Sequence, residues 1–118
     1  MAKILKFDSG VRLGTSSLEL ANTVNIDVAD EDAMLLMAKD WDIKFGAFNF
    51  TGTRKYLEAE RYYFICIRPW DGYQRCLLLF PFWGNAKAYV CITPESNDTT
   101  LNYGTNCWIK SFTLTTVS

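Results

Sequence analysis

Residues able to do acid–base or nucleophilic chemistry are few in this chain and poorly spaced for it. Histidine is absent, so the side chain that most often moves protons near neutral pH is missing. Carboxylates cluster at Asp30-Glu31-Asp32 and at Asp40 and Asp42. The first cluster suits a helix start, where acids cap orphan N–H groups and meet the positive end of the dipole. The second flanks Trp41 at a helix-to-strand corner, and a carboxylate pair for glycoside hydrolysis would need a cleft beside it. No Gly-rich loop precedes a Lys-Ser or Lys-Thr pair, so no phosphate cradle is expected. Cysteines stand at 66, 76, 91 and 107 without C-x-x-C spacing. The chain therefore reads as non-enzymatic, with no catalytic residue, no cofactor and no metal.

Contact chemistry is better represented. Trp70 lies between Pro69 and Asp71 at an expected hairpin tip. A rigid ring there anchors an interface or stacks on a sugar at low entropic cost; the alternative is a ring folded back over the sheet. Trp70, Asp71, Tyr73, Arg75, Tyr103 and Trp108 form the candidate contact set. Trp83 is expected to pack on Pro81, and the Met34/Met37/Ala38/Trp41 stripe to be core.

Those residues must be positioned by the stretch from Tyr62 to Thr93, which predicts three antiparallel strands. Tyr62–Arg68 is dense in aromatic and β-branched residues. Pro69–Gly72 supplies a turn, Tyr73 to about Trp83 a second strand, Gly84-Asn85 a type II′ turn, and Ala86–Thr93 a third strand. A three-residue bulged first loop places Cys66 opposite Cys76, Leu78 opposite Cys91 and Phe80 opposite Tyr89. One face then carries Phe64, Cys66, Cys76, Leu78, Phe80, Tyr89 and Cys91; the other carries Ile65, Ile67, Leu77, Leu79, Val90 and Ile92. A four-residue loop would shift the first strand by one and break the Cys66–Cys76 pair. Both faces are apolar, so protein is expected against both. Buried reduced thiols are one reading of the cysteines, and a Cys66–Cys76 cross-strand disulfide is the sharper one.

Elsewhere, Lys3–Phe7 reads as a short strand and Val11–Leu20 as one or two strands broken at Gly14-Thr15-Ser16. Thr23–Val28 alternates cleanly, with Asn25 and Asp27 toward water. Residues 30–41 predict the one helix, capped by Asp30. Asp42–Phe50 returns to strand with a phase slip at Gly46, read as a bulge or bend. Thr53–Leu57 suits an edge strand carrying Arg54 and Lys55. Leu101–Tyr103 is short, Gly104-Thr105-Asn106 turns the chain, and Cys107–Val117 is a last strand held in a sheet. The sequons Asn49-Phe50-Thr51 and Asn97-Asp98-Thr99 read as chance matches.

The fold class expected is mainly β, an antiparallel β-sandwich or rolled barrel with one short helix, in a single β-rich domain spanning residues 1–118. The alternative is an α+β sheet with the helix on one side. Net charge is −1, with ten acids and seven bases in residues 1–60 and three acids and five bases in 61–118. Neither half carries a nucleic-acid footprint. No segment reads as a signal peptide or bilayer span, so synthesis in the cytoplasm is expected, with no membrane partner.

Two function classes fit. The first is a structural or assembly protein that packs against copies of itself or a larger protein scaffold, in composition suiting a small bacteriophage virion component (capsid decoration, neck or tail). A defined homo-oligomer and edge-strand pairing are expected of it. The second is a carbohydrate- or peptide-binding module whose exposed aromatics take a glycan or a peptide. An intracellular phage counter-defence inhibitor is a third reading, resting on the acidic N-terminal half.

Overall fold

The computed structural model describes residues 24–68, 73–84 and 86–117, and the backbone of 11–13 and 16–18. The strand expected at Lys3–Phe7 and the tip holding Trp70 and Asp71 lie outside these residues. In chain order the elements are β1 (Val11–Leu13), β2 (Ser16–Leu18), β3 (Val24–Val28), α1 (Glu31–Ala38), β4 (Lys44–Phe50), β5 (Arg61–Ile67), β6 (Cys76–Pro81), β7 (Ala88–Ile92) and β8 (Trp108–Phe112). The chain is mainly β with one short helix. β1 and β2 form a hairpin, so Val11–Leu20 holds two strands. The other six strands form one sheet in chain order, β3 to β8.

Four of its neighbouring pairs are antiparallel, but β3 and β4 run parallel. The cause is α1: parallel neighbours need a crossover of a dozen or more residues, and residues 29–43 supply it. Asp30 caps the helix, its Oδ1 accepting from Ala33 N at 2.9 Å. Met34, Leu35 and Ala38 are buried in the main core, whereas Met37 is 39% exposed and leaves the stripe expected of it. Trp41, just past the helix, stacks on Phe48 at 5.8 Å and on Phe64 at 5.4 Å, and those two rings stack at 4.4 Å. These offset aromatic contacts tie the crossover to the sheet.

The β6 register differs by one residue from the three-residue-loop expectation. Cys66 pairs with Leu77 and Ile67 with Cys76; Leu77 pairs with Cys91 and Leu79 with Tyr89. A one-residue shift turns every β6 side chain over, so Leu77 and Leu79 join Phe64, Cys66, Tyr89 and Cys91 on the helix-side face. Cys76, Leu78 and Phe80 join Ile65, Ile67, Val90 and Ile92 on the other, the outer face. Pairing between β5 and β6 runs in step from Ile67 opposite Cys76 to Tyr62 opposite Pro81, the register expected of the four-residue alternative for the first loop. Beyond β6, Ala86 N donates to Trp83 O at 3.3 Å. All four cysteines are free, so the Cys66–Cys76 disulfide is not formed.

Gly46 is a close-approach glycine, not a bulge. Pairing runs without interruption on both sides of it. A Cβ there would lie 2.4 Å from Val24 O and 2.9 Å from the Phe64 ring. The apparent phase slip is a change of apolar face: Phe45 and Ala47 point outward, Phe48 and Phe50 toward α1.

Two expectations for the outer segments are corrected. Residues 51–60 contain no strand, so Thr53–Leu57 is a loop. The last strand ends at Phe112, and residues 113–117 lie exposed outside it. Leu114 and Val117 within it are 47% and 95% exposed.

Candidate functional site

The residues 55–60 loop is held rigid from beneath. Glu31, first residue of α1, is wholly buried, and its Oε2 accepts from the backbone N–H of Lys55, Tyr56 and Leu57 at 2.8, 2.5 and 3.1 Å. Tyr89 Oη accepts from Glu58 N at 3.2 Å, and Tyr62 Oη from Ala59 N at 2.7 Å. A loop that would otherwise leave N–H groups unpaired near the core finds acceptors on the helix and two strands. Burial pushes the Tyr62 phenol up to about 12, so it stays a neutral partner. Glu31 thus anchors a loop as well as favouring the helix start.

That loop presents Tyr56 beside Tyr103, ring centroids 5.1 Å apart and tilted by 50°. Tyr56, Tyr103, Gly104, Trp108 and Ile109 line an open notch of about 270 Å³. Gly104 turns the chain there with φ +85°, a conformation that favours glycine. Tyr103 Oη donates to Asp32 Oδ1 at 2.5 Å, and Lys55 Nζ lies 3.2 Å from Asp32 Oδ2. The Tyr103 hydrogen bond first, then Lys55, hold the Asp32 carboxyl below its ordinary value. Lys110 Nζ sits 4.5 Å over the Trp108 ring.

The candidate contact set therefore divides. Tyr103 and Trp108 come together, and Tyr73 is 57% exposed. Trp70 and Asp71 lie outside the described residues. Arg75 is corrected from surface contact to internal strut. It is buried, its Nε donates to Trp41 O at 2.6 Å, and its Nη1 donates to Tyr73 O and Ser96 Oγ. Trp83 is 56% exposed and meets Phe82 edge-on at 6.4 Å. The carboxylates at the second cluster are paired, Asp42 with Arg68 and Asp40 with Lys39.

The second surface is the outer face of the sheet. Ile65, Leu78, Phe80, Val90 and Ile92 are half-buried there, and Phe45, Tyr63, Ile67 and Phe112 remain 40%, 54%, 42% and 39% exposed. The described residues thus leave this face open, although its apolar pattern predicts protein against it. The apolar rows lie toward the Ile67, Cys76 and Ile92 end of the strands. Toward the opposite end the face turns polar, with Asn25, Asp27, Asn49 and Arg61 on β3 to β5.

Sequence reasoning missed Tyr56, because the loop carrying it reads as a strand. It also missed the neighbourhood of Asp27 and Asn49, which only the parallel crossover creates. Among the described residues, no group of three or more His, Cys, Asp or Glu side chains is placed to hold a metal ion, and no helix is long and apolar enough to cross a membrane. Comparison with known proteins identifies no matching family, curated sequence or solved structure.

Proposed function

We propose that this is a non-enzymatic assembly protein that works by burying the outer face of its sheet against a second copy of itself. The observation that carries the reading is the apolar patch running through Phe45, Ile65, Ile67, Leu78, Val90 and Ile92 across four strands, bounded on β8 by Lys110 opposite Val90. Such patches on a folded surface mark interaction sites. Four strands of that length present a patch about 19 Å by 17 Å on each copy before side-chain relief, the scale of a weak, reversible pair. Two copies meeting through one face form a closed, self-complementary pair. The packed sheets would then make a sandwich of the pair. The free edge of β8 offers strand addition as a second contact. Small size, Thr/Asn/Ser-rich loops and a face suited to packing support a bacteriophage virion as the setting.

The test is size-exclusion chromatography of Phe45→Lys and Ile67→Lys beside the unaltered chain. Both side chains are already partly in water, so the fold should survive, as circular dichroism would report. The expected result is a dimer for the unaltered chain and a monomer for each variant. A dimer that persists in both variants would overturn the assignment of the face.

A second reading is a peptide-binding module, favoured by the Tyr56–Tyr103–Trp108 notch. Tilted rings make a groove for an apolar or proline side chain of an extended peptide rather than a flat sugar platform. Quenching of tryptophan fluorescence by proline-rich peptides, lost in Tyr56→Ala, is its signature; an unchanged spectrum with such peptides would sink it.

A further inference from the structure

The polar end of the outer face holds a cavity of about 280 Å³ lined by Asn25, Asp27, Asn49, Arg61 and Phe82, with Ala47 and Phe48 behind them. Three strands contribute. Arg61 Nε on β5 donates to Asn49 Oδ1 on β4 at 3.3 Å, and Asn49 Nδ2 donates to Asp27 Oδ1 on β3 at 3.2 Å. This chain uses both ends of the Asn49 amide and fixes its orientation. Among the described residues it leaves Asp27 Oδ2, the Arg61 Nη groups and the Asn25 amide available to a ligand. Beside them, Phe82 stacks on Tyr63 at 4.2 Å with 21° between the rings. That stack braces an aromatic wall next to the polar groups.

We infer that this cavity binds one pyranose ring of a neutral saccharide. A sugar offers hydroxyls that both donate and accept, and a C–H face that lies against an aromatic ring. The carboxylate accepts from hydroxyls, the guanidinium donates to them, and the Asn25 amide does either. Phe82 supplies the apolar wall. The charges of Asp27 and Arg61 cancel, so no net charge is demanded of the ligand. They stand on strands two spacings apart, roughly 10 Å. The volume lies at the lower bound of small-molecule pockets, about 300 Å³, which suits one ring rather than several. The site lies on the same face as the apolar rows, toward the opposite end of the strands.

The experiment is a titration followed by ¹H–¹⁵N NMR, with glucose, galactose, mannose and N-acetylglucosamine, and with glycine and acetate as charged competitors. At least one sugar is expected to shift the side-chain signals of Asn25, Asn49 and Arg61 at millimolar concentration. Asp27→Ala and Phe82→Ala are each expected to weaken that binding about tenfold or more, the equivalent of one charge-assisted hydrogen bond or one ring contact. Their spectra would show whether each remains folded; should one not, Asn25→Ala carries the same expectation. Unmoved signals at tens of millimolar of every sugar would overturn the inference. So would shifts with glycine or acetate alone, or undiminished sugar binding in the folded variants.

Discussion

Glu31 holds the backbone of Tyr56 from below, its Oε2 accepting the Tyr56 N–H at 2.5 Å while Lys55 and Leu57 donate to the same oxygen. The first residue of the helix is thereby a fixed point for a loop 25 residues further on. Tyr56 owes its place in the aromatic notch to a buried carboxylate that no solvent can replace.

Glu31→Ala should therefore cost about 3 kcal/mol or more, since three N–H groups lose a charged acceptor at once. Urea unfolding gives the figure, and hydrogen exchange at Tyr56 and Leu57 should accelerate. An unchanged urea midpoint would mean that Tyr62 and Tyr89 alone suffice to hold the loop.

Gly46→Ala should destabilise by roughly 3 kcal/mol, at the upper end of overpacking costs. One of the atoms its Cβ would meet is the Val24 carbonyl oxygen, which cannot rotate away. Thermal unfolding measures the loss. A variant as stable as the parent would show that β3 can shift outward freely.

How much of this was legible beforehand depends on what each residue's pattern could decide. Asp30 and the run after it mark the helix start, because capping chemistry is local. Val24, Ile26 and Val28 mark β3 for the same reason, since alternation needs no knowledge of neighbours. The register of β6 was not legible. With Leu77 and Leu79 on one side and Leu78 and Phe80 on the other, either face serves as core, so hydrophobicity cannot choose. The register observed is the one that a four-residue first loop would set. Arg75 was misread for a related reason: a charged side chain next to a turn suits water, unless carbonyls from Trp41 and Tyr73 gather around it. The polar cavity needs Asp27 and Asn49 on adjacent strands, and nothing short of the parallel pairing puts them there.

Acid should expose the Asp32–Tyr103 contact. A carboxyl whose folded value is lowered contributes stability that is fully present above its unfolded value, near 3.8, and is lost as pH falls through the folded one. Tyr103→Phe should thus lower the urea midpoint at pH 7, and its penalty should shrink as pH drops below about 4. A penalty independent of pH would mean that Tyr103 stabilises through its ring alone.

The thiols should react unequally. Cys66, Cys91 and Cys107 are buried, and burial pushes the Cys66 thiol up to about 12. Cys76 is the half-buried one, on the outer face. Maleimide at pH 7 should modify Cys76 first in dilute native protein, and the remaining three only after unfolding. Rapid modification of Cys66 in the folded chain would contradict the position of β5.

Sedimentation equilibrium of the unaltered chain, from submicromolar to several hundred micromolar, tests the use of the outer face most directly. The account requires a reversible monomer–dimer equilibrium, with Cys76 modification slowing as the dimer fills. A monomer at every concentration, with Cys76 reacting at one constant rate, would contradict it.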